Sequence, residues 1–571
     1  SIIPSTVTKP KLYANSNVRG MYFSTGAPYS VSPGMNLNGF TLNVKGDWLV
    51  GPSVNSTLVL DCNGLVEFNG SAATAQSIGG KNSFGNLTTN NTLAGVTLTG
   101  NTGVSCILTT SSGNLNSNGL LSLRSTSTAT ALVNPSAGNV IGNVNVERKV
   151  GSLSGYHYLS SPVSGAFVNN TIYGWRDDFT ILSTIDNIAF IPGNTYSQLP
   201  SVWEYNESNL NPNPAYGWIS ATAGDDPITP LKGFACVVTA STVVDVLGPL
   251  NNGTIPGGYA ITKTSGTGIG EGLNAIGNPY ASPISWNAFR ALPANSGLLS
   301  TSGYQTFIST GGYNGAYGSW DGLIGSPVSV TDKIASSQGI MVTALASGNI
   351  NAANSARLTT AADLNTNYFN GYNSVPDLMR MEIQGNGYAN ETAIYFDPTG
   401  SDVFDIHRDA RLINTPTAGV PNIYSKIDNT PLNINVMGKL DLAKVVPMGL
   451  KIQSAGSYSL VATDMSSFSP SVIAYLEDTQ TGTMTNLRVN PSYSVTLPAG
   501  EINNRFYIHF QPAVAFNTTN ETCAGHDGKL EINYPSTNTV DVVIKDEIGN
   551  VVSTQNDLSG TILINNLAAG N

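Results

Sequence analysis

Side chains able to do acid–base, nucleophilic or metal chemistry are scarce along these 571 residues, and the densest gathering is Asp397, Asp402, Asp405 and Asp409, with His407 among them. A hard cation such as Ca²⁺ takes several carboxylate and carbonyl oxygens from a flexible loop, so these four aspartates are the candidate metal site, with calcium as its ion. EF-hand spacing is absent. The simpler reading of the same residues is a loop whose aspartates cap turns and meet Arg408 and Arg411. Asp225-Asp226 and Glu477-Asp478 pose the same question more weakly. The chain contains no G-x-S-x-G and no H-E-x-x-H, and its four histidines, His157, His407, His509 and His526, are scattered. General acid–base catalysis needs a titrating group held near a partner. No residue is therefore assigned a catalytic or cofactor-binding role, and the expectation is a protein that is not an enzyme.

The four cysteines, Cys62, Cys106, Cys236 and Cys523, lie far apart and match neither a disulfide framework nor a zinc module, so the expectation is small buried hydrophobes, with Cys523, in a turn-rich segment, set apart as the exception. Charged residues make up 11% of the chain, against roughly 25% in an average soluble protein. The net charge is −11, with no basic run, which argues against nucleic acid and anionic membranes as partners. No apolar run is long enough to span a bilayer as a helix. Gly, Ser, Thr and Asn fill the place of the missing charge. With normal hydrophobic content this composition predicts an all-β protein of strands and polar turns.

Several elements are legible. From Leu58, short apolar pieces such as Leu65-Val66-Glu67-Phe68, Val96-Thr97-Leu98 and Leu120-Leu121-Ser122-Leu123 recur between Asn- and Gly-rich corners. Lys81 and Arg124 are the only charges between Asn69 and Val146. This predicts a right-handed β-solenoid-like region over 1–145, with a hairpin sandwich as the competing arrangement. So little charge cannot furnish paired carboxylates, which makes the region a spacer or a binding face.

Two similar units follow, 146–262 and 263–365. Tyr158-Leu159-Ser160-Ser161-Pro162 returns as Ala275-Ile276-Gly277-Asn278-Pro279, Trp218 as Trp320, and Lys232-Gly233 as Gln338-Gly339. From Asp377 a period-two alternation predicts an antiparallel β-sandwich of jelly-roll size over 366–515, with Met379, Met381 and Ile383 facing one way and Arg380, Glu382 and Gln384 the other. Residues 516–571 read as an incomplete Ig-like module that needs further strands, which suggests a longer protein.

Glu147-Arg148, Tyr158-Leu159-Ser160-Ser161-Pro162-Val163, Ile276-Gly277-Asn278-Pro279-Tyr280 with Trp286, Phe404-Asp405-Ile406-His407-Arg408-Asp409-Ala410 and Arg505-Phe506-Tyr507-Ile508-His509-Phe510 carry a resemblance. The chain resembles Bacteroidetes-type cell-surface proteins exported by the type IX secretion system, a group that includes adhesins and gliding-motility proteins. The resemblance covers about 146–515. It implies an extracellular location, export across the outer membrane, and the type IX secretion machinery as a partner; it brings no catalytic residue. The expected function is structural and adhesive, binding glycans or other cell-surface proteins. The alternative is a set of accessory modules of a secreted carbohydrate-active enzyme whose catalytic domain lies outside this segment.

Overall fold

Short apolar triplets broken by Asn and Gly cannot sustain helix, and among the described residues the sole α-helix is the five-residue Trp286–Arg290. The computed structural model describes residues 11–23, 35–51, 62–151, 154–181, 201–209, 217–221, 226–238, 242–266, 270–301, 303–311, 314–364, 375–413, 419–512, 515–520, 522, 527–534, 539–546 and 548–567. The protein is all-β and forms two compact units, one of residues 1–373 with 406–418 and one of 374–405 with 419–571.

The first unit opens with a three-faced parallel β-solenoid. One face stacks Ser16–Val18, Thr41–Val44, Leu65–Phe68, Asn86–Asn90, Ile107–Ser112 and Leu132–Asn134. The second stacks six strands from Met21–Phe23 to Val140–Ile141, and the third runs from Asn82–Phe84 through Thr102–Val104 and Leu121–Leu123 to Asn143–Lys149. Inward positions repeat in register, so like sits on like: Leu42, Val66, Leu87, Leu108 and Val133 on the first face, and Phe84, Val104, Leu123 and Val146 on the third. Burying a Leu, Val or Phe in such a stack contributes about 1.5–3 kcal/mol. Corners turn the backbone away from the ladder, and buried amides satisfy it there. Gln76 Nε2 donates to the carbonyls of Val44 (2.9 Å) and Gly46 (2.7 Å), while Trp48 Nε1 donates to Asn82 Oδ1 (3.0 Å). Inward amides such as Gln76 and Asn82 are a second use of amide side chains, which composition registered only as turns.

Cys62 and Cys106 form a disulfide, Cα–Cα 5.8 Å, which corrects the expectation of isolated cysteines. Their sequence separation of 44 residues is two coils of the solenoid, a spacing that acquires meaning only once the coil length is known. Closing a loop of that size removes about 4 kcal/mol of denatured-state entropy. Cys236 is buried and free, as expected of a small hydrophobe.

The solenoid's last strand does not stop at 146. Asn143–Lys149 pairs antiparallel with Val243–Pro249 along its whole length, covering an edge that would otherwise template further pairing. The solenoid core runs without a break into the next module through Val163, Trp175, Val202 and Phe234.

That module and its successor carry matching strands. We number them β1 (Gly155–Leu159), β2 (Val202–Tyr205), β3 (Trp218–Ser220), β4 (Phe234–Val238), β5 (Leu273–Gly277), β6 (Tyr304–Gly311), β7 (Asn314–Trp320) and β8 (Gly339–Thr343). The sheet orders are β1-β4-β2-β3 and β5-β8-β6-β7, the second extended beyond β7 by the short strand Gly325–Ser326, and each is entirely antiparallel. Register corrects one expected equivalence. Trp203 lies opposite Ala235 and Ser220, and Gln305 lies opposite Met341 and Ser319, which makes Tyr317, not Trp320, the counterpart of Trp218. The same register sets the Glu204–Lys232 ion pair against a Thr306–Gln338 hydrogen bond.

The two modules meet by exchanging equivalent contacts. Leu159 bridges Gln338 and Ile276 bridges Lys232. Ser160 N donates to Ser337 O (3.0 Å), and Gly277 N donates to Leu231 O (2.8 Å). Such reciprocity is what a two-fold axis imposes on a homodimer interface, here built within one chain. The backbones approach so closely that a Cβ on Gly233 would lie 2.4 Å from Ile276 O, and one on Gly339 would lie 3.0 Å from Leu159 O.

The second unit is a ten-strand antiparallel-rich sheet path from Thr483–Asn486 to Ser492–Leu497, with Met379, Met381, Ile383, Ile394, Phe506 and Ile508 in its core. Alternation holds for the inner face, yet Arg380 is buried rather than exposed, because Glu391 on the neighbouring strand pairs with it at 2.7 Å. The last module pairs Ala515–Thr519, Gly528–Tyr534 and Gly560–Leu567, with a hairpin of Val540–Lys545 and Val551–Leu558 over Ile532, Ile562 and Ile564.

The crossing generates a prediction. Gly233→Ala should cost about 1–3 kcal/mol, the usual range for overpacking, since the atom it strikes is backbone and cannot rotate away. Gly297→Ala, whose added methyl meets open space, should leave denaturant unfolding unchanged. Equal midpoints for the two variants would contradict the close approach.

Candidate functional site

The four predicted aspartates divide between the units: Asp397, Asp402 and Asp405 belong to the second, and Asp409 to the 406–418 segment of the first. Asp397 Oδ1 accepts from the backbone N and Oγ1 of Thr399, both at 2.8 Å, which is an Asx turn. Asp402 Oδ1 accepts from Lys444 Nζ at 2.6 Å and from Gly438 N at 3.1 Å. Asp409 is buried. The 406–418 segment is fastened to the second twin module: Thr301 Oγ1 donates to His407 O at 2.7 Å, and Gln305 Nε2 donates to Arg411 O.

The other titratable candidates serve the scaffold. Asp478 accepts both guanidinium bonds of Arg505 (2.8 and 2.7 Å) and the Tyr493 hydroxyl (2.9 Å). Burial opposes ionisation there, and the Arg505 bonds overcome it and hold the carboxyl below its usual range. His509 pairs with Glu477 at 2.7 Å, and His157 lies on β1. Asp225, Cys523 and His526 lie outside the described residues.

Among the described residues, the acidic grouping close enough to share an ion or a proton is one that sequence reading missed: Asp177, Asp178 and Asp245, with carboxylate oxygens within 4.8 Å of one another. Its construction is local at one end and distant at the other. Trp175 and Phe179 are buried, Trp175 edge-on to Phe234 with centroids 5.6 Å apart, and they pin the turn that presents Asp177 and Asp178. Asp245 sits between buried Val244 and Val246 on the strand that caps the solenoid, so its side chain faces outward. Asp178 Oδ2 accepts from Asp245 N at 2.7 Å, fixing the pair. Glu147 is the register partner of Asp245 and is itself engaged by Arg124. Sequence holds no sign of the grouping, because 67 residues separate Asp178 from Asp245.

Three like charges at this distance cannot all ionise freely. Burial, then the neighbouring charges of Asp245 and Asp177, push the Asp178 carboxyl up to about 8, against the opposing pull of the Asp245 amide. Burial raises Asp177 as well. The chemistry open to such a group is to hold a proton at neutral pH or to ligate a hard cation through oxygen.

The sign of the pH effect follows. A carboxyl raised in the fold contributes stability that is full below its unfolded value near 4 and is lost as pH rises through about 8. Asp178→Asn should therefore gain thermal stability over the native chain progressively from pH 4 to 8. A difference that stays flat across that range would show that Asp178 titrates normally.

Residues 69–510 match the sequence model of a family described as a domain of unknown function, DUF8693. No curated protein and no solved structure matches the chain.

Proposed function

We propose that this chain, a member of the DUF8693 family, is an adhesive and structural protein of the cell exterior, exported by the type IX secretion system, that binds glycans or other surface molecules without turning them over. The observation that carries the reading is the outward face of the solenoid. Glu67, Thr88, Thr109 and Asn134 stand in register on successive coils, and Ser77, Thr97 and Asn116 do the same on the second face. Successive coils are about 4.8 Å apart. Each ladder is a repeated row of hydroxyls and amides with almost no charge, suited to many weak, additive contacts with a polymer. The Cys62–Cys106 disulfide supports an oxidising compartment outside the cytosol. Among the described residues no helix is long and apolar enough to cross a membrane.

One observation favours the alternative, in which these modules accompany carbohydrate chemistry: Asp178 is a carboxyl raised toward neutrality beside two others. A single experiment separates the readings. The whole chain is applied to a glycan array and to a polysaccharide and glycoside hydrolysis panel, alongside Asp178→Asn. The adhesive reading expects binding and no turnover by either protein. Turnover by the native chain that disappears in Asp178→Asn would overturn it.

A further inference from the structure

Among the described residues of the first unit, Arg357 is a buried charge with no carboxylate beside it. It is only 8% exposed, yet every group it contacts is neutral. Nε donates to Ser282 Oγ at 2.7 Å, Nη1 to Asn354 Oδ1 at 3.1 Å and Asn252 Oδ1 at 3.3 Å, and Nη2 to the Val133 carbonyl. The guanidinium lies 4.9 Å from the centre of the Tyr280 ring. A guanidinium carries five N–H donors, so these four bonds leave one Nη2 hydrogen uncommitted and the charge without a carboxylate. Burial lowers the group to about 10, which keeps it a cation at neutral pH. A buried charge is ordinarily paired, because desolvation costs several kcal/mol per ion.

Beside Arg357 is a cavity of about 230 Å³ at the meeting point of the solenoid and both twin modules. Among the described residues, Arg357 is the only charged one lining it; Asn134, Ser136, Asn139 and Asn251 supply amides and a hydroxyl. The volume falls below the roughly 300–1,000 Å³ of drug-sized ligand sites, which limits an occupant to about one sugar residue or a small acid. Asn134 is also the last rung of the outward ladder that runs through Thr88 and Thr109. A polymer lying along that face would reach the cavity with its next residue.

We propose that this cavity binds a carboxylate-bearing sugar residue, with Arg357 receiving the carboxylate and the surrounding amides and hydroxyl receiving the ring hydroxyls. The inference rests on the glycan-binding reading and adds the class of glycan to it. Guanidinium–carboxylate bonds are charge-assisted and about twice as strong as neutral ones, so the acid group selects the ligand while the polar wall orients it.

The test is calorimetric titration of the whole chain with galacturonate, an oligogalacturonate, the matching neutral galactose oligomer, and acetate. The oligogalacturonate is expected to bind at least tenfold more tightly than the neutral oligomer, with galacturonate weaker than its oligomer and acetate not detected. Arg357→Lys should lose tenfold or more. Because Arg357 also ties three modules together, Asn134→Trp serves as the second variant: it occupies the cavity while removing none of the groups that accept the guanidinium's four bonds, and it should abolish oligogalacturonate binding at an unchanged melting temperature. Equal binding of acidic and neutral oligomers, acetate binding as well as galacturonate, or oligogalacturonate binding unaffected by Asn134→Trp would each overturn the proposal. If neutral glycans bind and the acid group confers nothing, the glycan-binding reading survives and this site does not. If neither oligomer binds, this site falls, and the glycan-binding reading falls with it only if the glycan array is blank as well.

Discussion

The exchange of backbone contacts between the twin modules is the constraint on which the first unit depends. Leu159 reaches Gln338 while Ile276 reaches Lys232, and Ser160 and Gly277 each donate an amide to the opposite module. Such an approach is possible only where side chains vanish, which is why Gly233 and Gly339 recur at equivalent positions. Around the crossing pack Tyr158, Trp203, Trp218, Phe307, Tyr317 and Met341. The aromatic content of these modules is therefore largely internal. Trp218 meets Tyr158 and Tyr205 at centroid distances of 5.2 and 5.1 Å, and such contacts add to area burial without offering a ring to a ligand.

From that crossing the architecture extends in both directions. The first twin module lends Val243–Pro249 to close the solenoid's open edge, and its core continues that of the coils. The second twin module carries Arg357, whose guanidinium returns to the solenoid through the Val133 carbonyl. The solenoid thus has its last coil fixed by both modules, and the junction so formed contains the cavity and the buried cation. Under the proposed function, a stack whose polar ladders end at a fixed junction holds a polymer along one line, since avidity over repeated weak sites grows only when the sites keep their spacing.

How much of this was legible beforehand depended on the range of the signal. Period-two alternation and Asn/Gly corners are local, so the all-β class and the coil nature of the N-terminal region could be read directly. The echoes around Pro162 and Pro279 gave the kinship of the twin modules, but the Trp218–Trp320 pairing failed because residue type is a poorer guide than strand register. The alternation put Arg380 on the face opposite Met379 and Met381, but its burial was not legible, since nothing in its own strand announces Glu391 as a partner. The disulfide needed the coil length, the Asp177–Asp178–Asp245 grouping needed the cap strand, and Arg357 needed three modules in place at once. Conversely, the acidic run from Asp397 to Asp409 stood out because charge is rare in the chain, and the structure gives Asp397 and Asp402 turn-capping and ion-pairing partners.

The twin modules are knit through the glycine crossing, and the solenoid is joined to them by the Val243–Pro249 strand, so that the three form one body. Native-state hydrogen exchange of the intact chain, followed by mass spectrometry, tests it most directly. The amides of Ser160 and Gly277, which bond only across the crossing, should exchange as slowly as those of the coil strands Leu121–Leu123 and Asn143–Lys149, because they open only when the whole body unfolds. Fast exchange at Ser160 and Gly277 beside slow exchange in the coils would mean that the modules separate freely, and would contradict the account.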